Sequence, residues 1–293
     1  MSVANAANPD DPAQEFVDFW NEILAPKFIR FKHVLVDGLT HHSAAIFPSL
    51  PVNEGDKVLD VGCGFGDTAI QLAGRVGPAG SVVGIDCCQA FLDIARQDTA
   101  KAGLSNVNFI EGDVQSHPFE PEYDFVFSRF GTMFFENPVW GLKNMRAATK
   151  PDGLVTMIVW RTSDDNPWLA MAKQIVLKFL PPSGEDARTC GPGPFSMAGQ
   201  ETVTGMLKSA GYADPDFKRV DAPVLVGRTV QDSVDFQLAL GPAGEVFREA
   251  GELAEQRRGE IEAALSEAIS PYLTDEGIVM DSSSWVITAR NPA

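Results

Sequence analysis

The sequence predicts an α/β protein: a doubly wound, mostly parallel sheet of seven strands with a helical N-terminal cap and helical insertions. Two observations carry that expectation. The first is Val58-Leu59-Asp60-Val61-Gly62-Cys63-Gly64-Phe65-Gly66-Asp67-Thr68. A short apolar run ends in an acid, glycines fall at three alternate positions, and a helix can then begin, which reads as strand, glycine loop, helix. Bare backbone in such a loop can approach a bound ligand closely. The second is the rhythm after Lys57, where near-continuous apolar strands alternate with helices, as in a parallel sheet covered on both faces.

The leading segment, Glu15 to Phe47, reads as amphipathic helix, with Phe16, Phe19, Trp20, Ile23 and Leu24 recurring at helical spacing. Pro26 is expected to interrupt it before the pattern resumes from Phe28 to Leu39. Strands are predicted at Lys57–Val61, Ser81–Asp86, Val107–Glu111, Tyr123–Ser128 and Leu154–Trp160. Helices are predicted at Thr68–Val76 and Gln89–Ala102, and from Pro138 to about Thr149, where Asn137 is a good N-cap and proline suits the first helical position. After Trp160 a helix (Trp168 to Phe179) leads into a Pro/Gly-rich loop through Pro194. Then come a helix closed by Gly211, a strand at Phe217–Val226, a helical stretch Thr229–Ile269 broken at Gly241-Pro242-Ala243-Gly244, and a short last strand, Trp285–Ala289. The expected organisation is a flexible tail (1–14), a helical cap (15–52), a ligand-binding core (53–162), a lid insertion (163–199) and the rest of the sheet (200–293), with a helical insertion at about 229–270.

With 293 residues, 44% of them hydrophobic, the chain can bury a sizeable core. A net charge of -17 without a Lys/Arg cluster argues against a nucleic-acid partner. No apolar run approaches the roughly 20 residues of a membrane span, so no integral membrane contact is expected. The first residues lack the basic and apolar regions of a signal peptide. Cys63, Cys87, Cys88 and Cys190 show neither a disulfide framework nor zinc-ligand spacing, so no metal is expected and a reducing cytoplasm fits.

The glycine loop discriminates between cofactors. A dinucleotide fingerprint needs its third glycine at position 67, which is Asp67, an acid that would face a pyrophosphate. A phosphate-binding Gly-Lys-Ser/Thr is missing. An acid followed by alternating glycines instead suits a phosphate-free ligand with a cationic end, as S-adenosylmethionine (SAM) has.

On these residues the chain resembles the class I SAM-dependent methyltransferases, in particular their small-molecule branch of the ubiquinone/menaquinone-biosynthesis type, from about Trp20 to Gly211 and most strongly from Val58 to Trp160. The resemblance implies the Rossmann-like methyltransferase fold. It also implies methyl transfer to a small-molecule acceptor by in-line displacement, with S-adenosylhomocysteine (SAH) as product. Asp60, Gly62, Cys63, Gly64 and Gly66 would surround the methionyl part. Asp86, 20 residues after Gly66, would accept from the ribose hydroxyls, with Cys87 beside it. Asp113 and Val114 would meet the adenine, and Ser128 and Arg129 would end the fourth strand beside the methyl. SAM-dependent non-methyl chemistry and non-catalytic SAM binding remain the alternatives.

Few residues offer themselves as a base. His33 on the leading helices is one candidate, against a solvated helix face as the plainer reading. Arg129 would hold an anionic substrate group or else pair with an acid of the leading helices. His41, His42 and His117 are expected on solvated or loop-fixing positions. Trp20, Phe130 and Phe134 are expected to line the acceptor pocket. The helices of 229–270 are open to a second role, a homodimer contact.

Overall fold

The computed structural model describes residues 12–184 and 191–293. The first eleven residues of the expected tail, and Cys190, lie outside the described residues.

Strands β1 (Lys57–Val61), β2 (Ser81–Asp86), β3 (Val107–Glu111), β4 (Tyr123–Arg129), β5 (Thr149–Trp160), β6 (Ala213–Gly227), β7 (Leu273–Thr274) and β8 (Gly277–Arg290) form one sheet in the order β3-β2-β1-β4-β5-β8-β6, with the two-residue β7 paired to β8. The first five strands are parallel, and β8 runs antiparallel between β5 and β6. The order reverses between β1 and β4, and at such a switch point a crevice opens at the carboxyl ends of the strands. Val58, Leu59, Val61, Val82, Ile85, Val126 and Phe127 are buried on the two faces. Gly84 stands between faces that have no room for a side chain: a Cβ there would lie 2.8 Å from both Cys63 Sγ and Phe109.

The predicted β1 to β4 and the three helices that follow β1, β2 and β4 recur within a residue or two, the helices as α4 (Asp67–Val76), α5 (Gln89–Lys101) and α6 (Pro138–Ala148), whereas β5 starts at Thr149, five residues before the predicted Leu154. Asn137 caps α6 by accepting from the Trp140 amide. Three expectations need correction. Pro26 does not interrupt the cap: α1 (Pro12–Phe19) runs through a π-turn (Trp20–Leu24) directly into α2 (Ala25–Arg30). Proline tolerates only a first turn, and the π-turn restarts the helix so that Pro26 falls there. The last strand is not short: β8 starts eight residues before Trp285. Asp281-Ser282-Ser283-Ser284 reads as loop, but the hydroxyls are satisfied inside the sheet, Ser282 donating to the Ala222 carbonyl (2.6 Å) and Ser283 to Asp221 (2.6 Å). The helical stretch breaks at an extended Leu240 and at Gly251, giving α9 (Val230–Ala239), α10 (Gly241–Ala250) and α11 (Glu252–Ile269), with Pro242 in the first turn of α10.

After α2 the cap turns at Phe31, makes a second π-turn (His33–Asp37) and ends in α3 (Thr40–Ile46). This second half is stitched to β6. The Leu225 amide donates to the Gly38 carbonyl (3.2 Å), and a Cβ on Gly38 would fall 2.3 Å from the Leu225 carbonyl oxygen. Helix α7 (Pro167–Val176) buries Trp168, Leu169, Ala172, Ile175 and Val176, chiefly against α10. The segment after 190 is tied down by Ser196, which donates to the Met133 carbonyl (2.7 Å). Helix α8 (Gln200–Ala210) closes on Gly211 at φ 93°, as the sequence predicts. Among the described residues no helix is long and apolar enough to cross a membrane.

Candidate active site

The glycine loop leaves β1 with all three glycines in the left-handed region: Gly62 at φ 63°, Gly64 at 52° and Gly66 at 76°. Their surroundings divide them. A Cβ on Gly64 would meet no atom within 4 Å, so this glycine faces open cavity. A Cβ on Gly62 would touch only Gly131 Cα at 3.2 Å. One on Gly66 would strike Ala95 at 2.8 Å and Phe109 at 2.9 Å, so Gly66 lets α5 and β3 close on the loop instead of facing the crevice.

Asp86, at the end of β2, is half-buried and holds the loop from beside it. One carboxylate oxygen accepts from the Gly64 amide and the other from the Cys88 amide, both at 2.9 Å. Burial pushes its carboxyl above the usual range, opposed by those two amides. Each oxygen keeps a further lone pair that can accept a hydroxyl. Asp113 folds into a tight turn, accepting the Gln115 amide at 3.0 Å, and the Val114 amide has no partner among the described residues. Gly62, Cys63, Gly64, Asp86, Cys87, Asp113, Val114 and Arg129 all line one cavity. Asp60, Gly66 and Ser128 do not. Ser128 turns its hydroxyl to the Val61 carbonyl (2.8 Å), and Asp60 accepts from Thr68 (2.6 Å) beneath the loop, its second oxygen buried without a partner.

Arg129 is paired, but not with an acid of the cap. It donates to Asp67 at the start of α4 (2.5 Å) and to Ser43 of α3 (2.8 Å), with its side chain 7% exposed. One guanidinium thus joins the glycine-loop helix to the cap. Phe130 follows at φ 59°, a strained value for a bulky residue, and its ring stacks on Trp160 at 3.8 Å. No sequence signal marks either feature.

His42 is not solvated. It is wholly buried, Nε2 lies 2.6 Å from Ser282 Oγ, and Phe130 and Trp160 meet it edge-on. His33 does not line the cavity; its Nε2 lies 3.0 Å from both carboxylate oxygens of Asp232 on α9. His41 is partnered by Glu276 at 3.6 Å, and His117 packs on Phe119 at the turn after Asp113.

Two buried groups predict a pH signature. Burial, then Arg129, pushes His42 down from 6.5 to about 4; burial pushes Asp60 up from 3.8 to about 7. Below pH 6.5 the unfolded chain takes a proton that folded His42 refuses until about pH 4, so this term removes stability as pH falls. Above pH 3.8 the unfolded chain releases a proton that folded Asp60 keeps to about pH 7, so this term removes stability as pH rises. The windows overlap with opposite signs and nearly cancel. Relative to wild type, Asp60→Asn is expected to gain stability as pH rises through the window, by roughly 4 kcal/mol, and His42→Phe to lose it, by roughly 3 kcal/mol. Urea unfolding across the window checks the two slopes, and parallel curves for all three proteins would refute the pairing.

Beyond the loop the cavity continues as an apolar chamber; the whole is about 960 Å³. Trp20, in the π-turn, meets Phe28 and Phe134 edge-on, each at 5.4 Å. Trp168 of α7 and Phe236 of α9 line the cavity too. Trp20, Phe130 and Phe134 all line the chamber. Sequence reasoning missed α9 and α10 as walls, because their lining residues alternate with charged ones at no distinctive spacing. It also missed Lys27, Lys173, Glu245 and Arg248, which no motif singles out.

This crevice over a switch point, with a phosphate-free glycine loop and an acid ending β2, defines a nucleoside-cofactor enzyme of the methyltransferase fold. A family model described as a methyltransferase domain matches residues 58–153. The demethylmenaquinone methyltransferase of Staphylococcus aureus (strain JH9) is 31% identical over 179 residues, covering 57% of this chain and 72% of the relative. Two solved structures share the fold. The YcgJ protein from Bacillus subtilis has a TM-score of 0.57 at 17% identity, over 86% of this chain and 99% of that one. Phosphoethanolamine N-methyltransferase 2 of Haemonchus contortus, in complex with SAM, has 0.56 at 17% identity, over 95% and 60%. The chain belongs to the class I SAM-dependent methyltransferases of the quinone-biosynthesis type. It transfers a methyl group from SAM to a small-molecule acceptor.

Proposed function

We propose that SAM lies along the carboxyl ends of β1, β2 and β3 and that an apolar, ring-bearing acceptor occupies the chamber under the cap. The observation that carries this reading is the continuity of one cavity from Gly64 and Asp86 to Trp20, Trp168 and Phe236. Its size is near the top of the roughly 300–1,000 Å³ usual for ligand sites.

The residues present fit the cofactor. Gly62 and Gly64 offer bare backbone to the methionyl part, Asp86 offers free lone pairs to the ribose, and the unpartnered Val114 amide with Asp113 faces the adenine. Asp60, buried beneath the loop and bonded to Thr68, braces the loop from below and does not line the cavity. When bound, SAM supplies a methyl already activated by its sulfonium. The chain's own contribution is to hold the acceptor in line and keep water out. No histidine lines the chamber among the described residues, so His33 is not proposed as a base. Arg129, already held by Asp67 and Ser43, is assigned a positioning role between cap and loop. The free thiols Cys63, Cys87 and Cys88 support a cytoplasmic setting.

Calorimetry with SAH tests the cofactor end: saturable binding is expected, and saturation by a dinucleotide without heat from SAH would overturn it. Trp20→Ala tests the acceptor end. Loss of a large buried aromatic contact is expected to raise KM for any apolar acceptor about tenfold, with SAH affinity unchanged. An equal loss of SAH affinity would remove Trp20 from the acceptor wall.

A further inference from the structure

We infer that the far wall of the chamber is an anion-recognition element, in which Lys27 of α2 and Lys173 of α7 bind a carboxylate carried by the apolar acceptor. The inference rests on the reading of the chamber as the acceptor site and deepens it. Four charged side chains from three helices line the chamber at this wall: Lys27, Lys173, and Glu245 and Arg248 of α10. Arg248 is met by Glu249 (2.6 Å) and Glu245 (3.8 Å), which leaves Lys27 and Lys173 as the cations of this wall without an ion pair among the described residues, in a chain whose net charge is -17.

The two lysines are not consumed internally. Lys27 is half-buried, yet neither it nor Lys173 has an ion-pair or hydrogen-bond partner among the described residues. Burial, and then Arg248, hold the Lys27 ammonium below the ordinary lysine range, against the pull of Glu245. A lysine desolvated without a partner is costly, and a bound anion removes that cost. Glu245 lies in the field of Arg248, Lys173 and Lys27, and burial holds its carboxyl above the usual range. Its Oε1 is buried with no hydrogen bond, the nearest cation being Arg248 at 3.8 Å. Arg248 is itself steadied by Glu249 at 2.6 Å and lies 5.2 Å over the Phe19 ring. The wall is therefore an incompletely satisfied polar cluster facing an apolar space.

Its position gives the ligand an orientation. Lys27 and Arg248 also line an adjoining cleft of about 400 Å³ on the other side of the wall, where Arg30 is already paired with Asp235 (2.9 Å) and Arg258 with Glu255 (2.7 Å). Lys27 and Arg248 thus stand between the chamber and this cleft. A carboxylate held there turns the apolar body of the acceptor inward, toward the cofactor end.

The test uses 2-naphthoate and its uncharged analogue 2-naphthamide as probes. Binding to the SAH-saturated protein is followed by quenching of the tryptophans that line the cavity, Trp20, Trp160 and Trp168. Wild type is expected to bind naphthoate about tenfold more tightly than naphthamide, the worth of one charge-assisted hydrogen bond. Lys27→Met combined with Lys173→Met is expected to erase the preference and leave SAH affinity unchanged. Equal binding of the two probes by wild type, no saturable binding of either, or a preference that survives in the double variant would overturn the inference. Failure of SAH to bind wild type would instead strike the cofactor reading beneath it, so the two failures are distinguishable.

Discussion

Gly64→Val is expected to abolish SAH binding in a protein that still folds. At φ 52° Gly64 occupies a conformation that L-residues enter at a cost of roughly 1–2 kcal/mol, more for a branched side chain. The first of the added carbons would have no protein atom beyond its chain neighbours within 4 Å, so the branched side chain enters open cavity. Their clash is with whatever fills the cavity. A loss of at least about a hundredfold in affinity, some 2.7 kcal/mol, is the expected calorimetric result, with only a modest fall in unfolding temperature. Gly66→Ala provides the contrast. Its Cβ is driven into Ala95 and Phe109, so the fold suffers first. Normal SAH affinity in Gly64→Val would show that the loop does not cradle the cofactor.

Asp86→Ala carries the second large effect, and it acts twice. Its carboxylate organises the site by receiving the Gly64 and Cys88 amides, and it offers lone pairs to the ligand. From the sequence, an acid ending a strand reads as exposed and dispensable to folding. Half-buried and doubly bonded, it is neither. Alanine leaves two amides unsatisfied, which costs roughly 1–3 kcal/mol of stability, and SAH affinity is expected to fall more than tenfold. Asp86→Asn retains one acceptor oxygen and is expected to recover part of the stability but less of the affinity. Urea unfolding and calorimetry on both variants separate the two roles. Full stability with unchanged affinity in Asp86→Ala would refute both.

These two residues also show what was legible in the chain. The glycine loop, Asp86, Asp113 and the strand order from Lys57 to Trp160 could be read because local sequence specifies them: apolar runs, turn chemistry and spacing suffice. The first half of β8 could not, because Ser282 and Ser283 are polar residues whose partners arrive from β6. His42 looked like a helix-face residue until Ser282, some 240 residues away, supplied its bond. Arg129 found its acid at the start of α4 and not in the cap, a choice made by tertiary packing. Lys27, Lys173 and Glu245 are unremarkable in sequence and become a cluster only when α2, α7 and α10 meet.

The stitching at Gly38 divides the cap into two halves held by different means. From Gly38 onward the cap is fastened to the sheet by a main-chain bond, a close backbone approach and the His42–Ser282 contact. Residues 12–30 are held chiefly by side chains, among them Trp20 on Phe134 and the exposed Arg30–Asp235 pair. The turn at Phe31 separates these two differently held halves. Trp20 thus sits on the half of the cap held by side-chain packing, not on the half fastened by main-chain bonds.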